Sequence, residues 1–258
     1  MCYDVIFKAV FTGEENILAK MVSDITGITY EILEDNVILE TNELPISTKN
    51  EKAKRCDFIL KIGKDNVINL EINSSHYGGL IIKNLSYLFQ LFSTLSKRVE
   101  EYSENMLAIQ INLNCYDKNS NKSLAKYILQ EEETHQLYTK NISIFNLNVV
   151  KCYELYYNLD NKENISNYIR WGALLYNRDL KKIPDIVGNI MTNKERDRIM
   201  SKLDKLTRED LFYTEEEALE WAEWERRSRE TEAINRGLAK GMQEGMEKGI
   251  AEGKEKNY

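Results

Sequence analysis

The sequence has few of the residues that build metal clusters: two histidines and four cysteines among 258 residues. The cysteines are widely scattered and form no Cys-x-x-Cys pair, which excludes a structural zinc site of the usual spacing. Two histidines are also too few to suggest a histidine-rich catalytic metal centre. We therefore expect reduced, buried thiols, as in a cytosolic protein.

Long apolar runs and a basic leader are absent as well. The most apolar stretch, residues 80–95, contains Lys83, Asn84 and Gln90, and no run approaches the 18 residues of a membrane span. The first residues lack the basic and apolar regions of a secretory signal. The sequence predicts a soluble, cytoplasmic protein with no membrane partner.

The charge balance is acidic, with 35 Lys and Arg residues against 42 Asp and Glu residues, a net charge of -7. This balance excludes a protein that coats nucleic acid with bulk positive charge, but it allows a small local nucleic-acid site. Hydrophobic residues make up 42% of the chain, which is enough to bury a real core.

Hydrophobic periodicity predicts an α/β fold in which helices pack against a mixed central sheet. Helices are expected at residues 14–26 and 81–99, and a polar loop at residues 41–54. Residues 58–62 and 67–72, on either side of Gly63-Lys64-Asp65-Asn66, carry the strongest hairpin pattern in the chain. The remaining strand candidates are residues 28–39, 106–113, 127–130 and 142–150.

The chain divides by composition into three expected domains. Residues 1–160 form the α/β domain, residues 161–213 a helical subdomain, and residues 214–258 a charged helical tail. In the tail, glycine recurs every fourth residue from Gly237 to Gly253, which traces a slowly winding stripe along a helix. The stripe is consistent with close helix–helix approach in a homo-oligomer, and equally with a charged tail that has no specific function.

The candidate site lies on the hairpin, where register decides which side chains meet. A two-residue turn would pair Asp57 with Ile72 and place the carboxylate on the apolar face. A three-residue loop at residues 64–66 pairs Asp57 with Asn73 and sets Ile59 opposite Glu71. The apolar residues of both strands then share one face, so we expect Asp57, Glu71 and Asn73 to cluster on the other.

Two carboxylates that converge at strand ends favour a magnesium site, because Mg²⁺ takes one or two carboxylates and keeps several waters. The alternative is that Asp57 caps a strand and Glu71 lies on a solvated face. Glu14 and Glu15 are candidates for a further acid, although helix-dipole complementarity explains them equally. His76 is either a proton-transfer group or a surface loop residue.

Three segments resemble the PD-(D/E)XK nuclease superfamily, and within it the recombination-promoting nuclease and transposase (Rpn-like) family. They are Lys54-Arg55-Cys56-Asp57-Phe58-Ile59-Leu60, Asn69-Leu70-Glu71-Ile72-Asn73, and the following helix with Asn84 and Tyr87. The opening residues 4–11 and the glycine tail also look like this family. The resemblance implies a restriction-endonuclease-like core with an all-helical C-terminal extension, and Mg²⁺-dependent (or Mn²⁺-dependent) cleavage of DNA in bacteria.

In this resemblance Asp57 and Glu71 match the two motif acids, which would hold the metal together with the Ile72 carbonyl. Asn73 stands where the motif has lysine, and Cys56 where it has proline. An amide orients water but supplies no charge, so the missing lysine matters more. Three other lysines are candidates to replace it: Lys52, Lys54 and Lys61.

Two functions therefore follow from the sequence. The first is a metal-dependent DNA endonuclease associated with recombination or transposition, with Asp57, Glu71 and Asn73 as its catalytic residues. The second is a catalytically inactive nuclease-fold protein that acts as an oligomeric interaction module. The replaced lysine, the acidic pI near 5.2 and the glycine stripe favour the second.

Overall fold

The structure is a computed structural model. The structure describes residues 4–34, 37–40, 56–98, 104–116, 121–160, 162–177, 179–188 and 190–206, and helical residues among 237–247. The chain forms two compact units. Residues 1–76 and 82–207 make up the first, and residues 77–81 and 208–258 the second.

A mixed six-stranded sheet in the order β1-β2-β3-β4-β6-β5 forms the centre of the first unit. The strands are β1 (Val37–Glu40), β2 (Phe58–Ile62), β3 (Asn66–Asn73), β4 (Leu107–Asn114), β5 (Leu124–Gln130) and β6 (Leu137–Asn148). The three central strands β3, β4 and β6 run parallel, and β1, β2 and β5 are antiparallel to their neighbours. The carboxyl ends of the parallel strands therefore meet at one edge of the sheet.

The described residues before residue 207 form eight α-helices. They are α1 (Asp4–Phe11), α2 (Glu15–Thr26), α3 (Tyr30–Glu34), α4 (Leu80–Arg98), α5 (Val149–Asn158), α6 (Asn167–Tyr176), α7 (Ile183–Val187) and α8 (Asn193–Lys205). The predicted helices at residues 14–26 and 81–99 are confirmed as α2 and α4. Gly27 ends α2 with a left-handed φ of 77°, which glycine adopts without steric penalty.

Two apolar clusters cover the two faces of the sheet. On one face, alternate residues of β2, β3 and β4 pack with buried side chains of α1, α2, α5 and α6. On the other face, Ile59, Val67 and Ala108 pack with one side of α4, including Leu88 and Leu91. Since successive strand residues point to opposite faces, both layers follow from the apolar alternation.

The hairpin of β2 and β3 is confirmed, and its face assignment is correct. The apolar alternate residues Phe58 to Ile72 all belong to the first cluster. The predicted pairing of Asp57 with Asn73 and of Ile59 with Glu71 is wrong: Ile62 pairs with Asn66 and Ile59 with Asn69. The three-residue loop is Gly63-Lys64-Asp65 rather than residues 64–66, because Gly63 adopts the left-handed conformation with φ of 63°. Compared with the prediction, the pairing is shifted by one residue on each strand, so every side chain stays on its predicted face. Continued one residue beyond the pair of Phe58 and Leu70, this register places Asp57 opposite Glu71.

Two local predictions are wrong. Residues 28–39 were expected as strands, but Tyr30–Glu34 forms the helix α3, whose Leu33 is fully buried in the core, and only Val37–Glu40 is a strand. The strand expected to reach Val150 ends at Asn148, whose side chain accepts the backbone N–H of Lys151 and caps α5. The predicted loop at residues 41–54 lies outside the described residues.

Ion pairs and hydrogen bonds connect α8 with the end of α1 and the start of α2. Glu14 precedes α2, is 5% exposed, and accepts hydrogen bonds from Arg198 of α8 at 2.8 and 3.0 Å. Lys202, one turn further along α8, lies 3.0 Å from the other carboxylate oxygen of Glu14. Lys202 also donates to the carbonyls of Val10 and Thr12 at the end of α1. Helix α8 thereby holds the end of α1 and the start of α2 in place.

Helices α5 and α6 approach each other closely at Gly172. A Cβ atom added at Gly172 would lie 2.3 Å from the Cβ of Cys152 and 2.8 Å from its Sγ. Non-bonded carbon atoms do not approach so closely, so a side chain at this position would force the two helices apart.

The division of the chain at residues 160 and 213 stays a prediction. In the second unit, residues 240–243 and 245–247 are helical, and Gly241 and Gly245 are exposed. No helix in the described part of the chain combines the length and the apolar character that a bilayer crossing requires.

We expect Glu14→Gln to lower the free energy of unfolding by about 2 kcal/mol at pH 7. Burial raises the pKa of Glu14, but Arg198 and Lys202 outweigh it and hold the pKa below its ordinary value of 4.5. A carboxyl group with a lowered folded pKa stabilises the protein fully above its unfolded pKa, and this contribution is lost as pH falls through the folded pKa. The difference between wild type and variant should therefore shrink below pH 4.5, as measured by urea unfolding. The neighbouring change Glu15→Gln, at a partly exposed side chain, is the control, with an expected effect below about 0.5 kcal/mol.

Gly172→Ala should lower the free energy of unfolding by about 1–3 kcal/mol, because the added methyl group overlaps Cys152. The double variant Gly172→Ala with Cys152→Gly removes the overlapping Cβ atom. Its destabilisation should be smaller than the sum of the two single effects in a double-mutant cycle. Additive effects would contradict a direct contact between the two positions.

Candidate functional site

At the open end of the hairpin, backbone N–H groups donate hydrogen bonds to the carboxylates of Asp57 and Glu71. The backbone N–H of Asp57 donates to Oε1 of Glu71 at 3.1 Å. The backbone N–H of Ile72 donates to Oδ2 of Asp57 at 2.7 Å. Both carboxylates are therefore fixed by the strands themselves, one at the start of β2 and the other near the end of β3.

Each acid presents its second oxygen to a lysine from a helix. Lys8 of α1 places its Nζ 2.9 Å from Oδ1 of Asp57. Lys83 of α4 places its Nζ 3.1 Å from Oε2 of Glu71 and 5.2 Å from the ring centre of Tyr87. The site thus contains two carboxylates whose outward oxygens already bind positive charge.

Burial controls the protonation of this site. Burial raises the pKa of Glu71, whose side chain is 1% exposed, and the ammonium of Lys83 opposes that rise. Burial, followed by the charges of Glu71 and Asp57, raises the pKa of Cys56 and keeps this residue a neutral thiol. Cys56 is therefore a buried, neutral neighbour of the two acids.

The side chain of Asn73 and the carbonyl of Ile72 point towards different neighbours of β3, the first towards β4 and the second towards the β2 side. The side chain of Asn73 donates to Oδ1 of Asn114 on β4 at 2.9 Å, so it points away from the β2 side on which Asp57 lies. The carbonyl of Asn73 also faces β4, where it accepts the N–H of Cys115. Since carbonyls alternate along a strand, the carbonyl of Ile72 faces the Asp57 side. The structure thus brings Asp57, Glu71 and the Ile72 backbone together, and directs Asn73 elsewhere.

A row of amide side chains lies next to Glu71 on the same face of the sheet. Each member donates to the next: Asn69 to Gln110 at 2.9 Å, Gln110 to Asn112 at 2.8 Å, and Asn112 to Asn146 at 2.7 Å. The row crosses β3, β4 and β6, and Asn69 and Gln110 are fully buried. Asn69 also lowers the pKa of Glu71 by hydrogen bonding to its carboxylate. This row supports the orientation of Glu71.

The other candidate residues lie apart from the two acids or outside the described residues. Glu14 is bound to Arg198 and Lys202 of α8. His76 is exposed, with its ring centre 5.3 Å from that of Tyr116. Lys61 pairs with Val67 towards the opposite end of β2 from Asp57. Lys52 and Lys54 fall outside the described residues.

The donor set fits a hard divalent cation. Among the described residues there is no group of three or more His, Cys, Asp and Glu side chains that could hold a metal ion. Mg²⁺ and Mn²⁺ need only one or two carboxylates, supplemented by carbonyl oxygen and water. The ammonium groups of Lys8 and Lys83 lie on the two outward carboxylate oxygens and show that the site stabilises positive charge.

Sequence reasoning missed the two lysines of the site. Lys8 stands 49 residues before Asp57, and Lys83 stands on a helix whose rotation about its axis decides what the side chain meets. One signal was available for Lys83: it interrupts the apolar residues of α4 twelve positions after Glu71. For Lys8 the available signal was its place beside Phe7, within the opening segment that carries the family resemblance.

A family model described as the PD-(D/E)XK nuclease family transposase matches residues 1–233, which include α1, the hairpin, α4 and the whole sheet. No curated protein and no solved structure matches the chain. The mixed sheet with flanking helices confirms the expected restriction-endonuclease-like α/β core. The chain therefore belongs to the PD-(D/E)XK nuclease family of transposases, and its function is of the nuclease type.

Proposed function

We propose that the protein is a metal-dependent DNA endonuclease that hydrolyses phosphodiester bonds, in association with recombination or transposition. One observation carries the proposal: Asp57 and Glu71 are fixed by each other's strand and turn one oxygen each towards a positive charge. Burial of two carboxylates costs solvation free energy, and the positive charges beside them offset that cost. Two buried carboxylates on neighbouring strands, each beside a positive charge, support a binding site for a cation.

Asp57 and Glu71 would hold Mg²⁺ or Mn²⁺, with the Ile72 carbonyl as a further oxygen ligand. When bound, the ion lowers the pKa of a coordinated water and neutralises charge on the phosphate. The backbone N–H groups of Asp57 and Ile72 fix the inner oxygens and so orient the outward ones. Burial of Glu71 excludes competing water from the site.

Lys83 would supply the positive charge that the motif lysine provides in the family and that Asn73 does not. Its Nζ lies 3.1 Å from Glu71, and the ring of Tyr87 one turn further along α4 holds the same ammonium. A lysine fixed in this way can stabilise negative charge on the phosphate. Asn73, bonded to Asn114, would position the end of β4 and would not contact the water.

The remaining proposals concern the setting of the protein. DNA is the proposed substrate, the cytoplasm of a bacterium the proposed location, and a homo-oligomer the proposed assembly, with the glycine stripe of the tail as its contact. An oligomeric module without catalysis is the competing function. It predicts a chain that neither cuts DNA nor binds a divalent cation.

Asp57→Asn should reduce Mg²⁺-dependent cleavage of plasmid DNA at least about 100-fold, because the amide removes the charge that holds the cation. The side chain keeps its shape and its acceptor for the Ile72 N–H, so the fold should persist. Cleavage is measured on gels as supercoiled DNA converts to nicked and linear forms.

Asp65→Asn is the matched control, since it makes the same change on the same hairpin at the loop end, away from Asp57. It should cut at the wild-type rate. Undiminished cleavage by Asp57→Asn would remove the assignment of this residue. Absence of cleavage by the wild type with either metal, on single-stranded and double-stranded DNA, would favour the inactive module.

Lys83→Met should lower the cleavage rate about 10-fold to 100-fold, because charge stabilisation at the phosphate is lost while both acids remain. Adding Asn73→Lys to this variant restores a lysine at the motif position and should recover part of the rate. Single-turnover rates separate this effect from DNA binding. A Lys83→Met variant that cuts at the wild-type rate would exclude the role of Lys83.

A further inference from the structure

Lys8 of α1 forms an ion pair with Asp57, the more exposed of the two acids. We propose that Lys8 is an exchangeable cation: it leaves Oδ1 of Asp57 when the divalent metal binds there, and its ammonium then contacts the DNA phosphate. This inference rests on the proposed nuclease function. It adds a catalytic residue that lies outside the motif and far from it in sequence.

The packing of α1 fixes Lys8 beside Asp57. Phe7 is fully buried, and its ring centre lies 5.4 Å from that of Phe58 in an edge-to-face contact. Phe7 thus contacts Phe58, and the next residue, Lys8, contacts Asp57, which precedes Phe58. The end of α1 is also held by Lys202, which donates to the carbonyls of Val10 and Thr12. The backbone of α1 thus keeps Lys8 at the site whichever group its ammonium contacts.

The two oxygens of Asp57 have different tasks. Oδ2 accepts the backbone N–H of Ile72 at 2.7 Å, which fixes the rotation of the carboxylate. Oδ1 faces outward and binds Nζ of Lys8 at 2.9 Å. A metal that uses Asp57 takes the outward oxygen, so the metal and Lys8 compete for the same atom. Lys8 therefore weakens metal binding in the absence of substrate.

Lys83 differs from Lys8 in the exposure of the acid that it contacts. Its ammonium contacts both Glu71 and the ring of Tyr87, and Glu71 is 1% exposed against 8% for Asp57. The side chains of Lys8 and Lys83 are similarly exposed, at 29% and 33%, so the two positions differ in the exposure of their acids. We therefore assign the exchange to Lys8, which contacts the more exposed acid.

Exchange links metal binding to phosphate binding. A lysine displaced from its carboxylate keeps its charge, and an ammonium on a long, flexible side chain is a common phosphate ligand. A DNA phosphate held by the metal would be a partner for the displaced ammonium of Lys8. The phosphate would thereby replace Asp57 as the partner of the Lys8 ammonium.

The test measures Mn²⁺ affinity of the full chain by isothermal titration calorimetry, together with cleavage rates on the same DNA. Lys8→Met should bind Mn²⁺ about fivefold more tightly, because the competing cation is gone. It should nevertheless cut DNA about 100-fold more slowly at saturating metal, because the phosphate loses its ammonium contact. A lysine with a purely structural role would lower metal affinity and rate together.

Lys151→Met is the matched control, because it removes one lysine charge from α5, where Lys151 pairs with Glu154 on the surface. It should leave Mn²⁺ affinity and rate unchanged. Lys8→Arg, which keeps the positive charge, should bind Mn²⁺ with nearly wild-type affinity. Unchanged or weaker Mn²⁺ binding by Lys8→Met would overturn the exchange, and so would failure of the wild type to bind Mn²⁺.

A second measurement uses the unaltered chain and does not depend on how a variant folds. Acylation of lysines by an amine reagent, read by peptide mass spectrometry, should be faster at Lys8 with Mg²⁺ than without it, and unchanged at Lys151, which pairs with Glu154 on the surface. Equal labelling of Lys8 in both conditions would contradict the exchange. A chain that shows the affinity and labelling effects but cuts no DNA would refute the nuclease function and leave the metal exchange standing.

Discussion

Two hydrogen bonds, each from a backbone N–H to a carboxylate, determine where the charges of the candidate site lie. The N–H of Asp57 binds Glu71, and the N–H of Ile72 binds Asp57, so neither acid can rotate without leaving a buried backbone donor unpaired. Both bonds depend on a hairpin that places Asp57 opposite Glu71. The lysines, the amide row and the neutral thiol of Cys56 are all arranged around these two fixed carboxylates.

The surrounding fold supplies what the hairpin lacks. One apolar cluster holds α1 against the face of β2 and β3 that points away from the acids, and the other holds α4 against the face that carries them. Each helix contributes one lysine, so the site is assembled from four separate parts of the chain. The acidic chain as a whole therefore contains a local place where negative and positive groups balance.

The sequence was sufficient for the parts of the fold that follow from apolar alternation. It predicted the hairpin, α4, the sheet and the face shared by Asp57 and Glu71, because a period of two or of 3.6 residues is visible locally. It assigned no helix to α1, it predicted a strand at α3, where Leu33 is buried, and it continued a strand into α5, which begins at the cap of Asn148. The register differed because Gly63, rather than Asn66, took the left-handed position. Lys8 and Lys83 were missed because their contacts depend on tertiary packing.

The amide row from Asn69 to Asn146 has a consequence for how this chain tolerates change. Every inner member both gives and receives a hydrogen bond, so replacing one by an apolar residue orphans a donor on one side and an acceptor on the other. Replacing the whole set by well-packed apolar side chains avoids that penalty. Viable sequences should therefore alter these positions in concert, and a solitary exchange at Gln110, the fully buried link, should be the least tolerated.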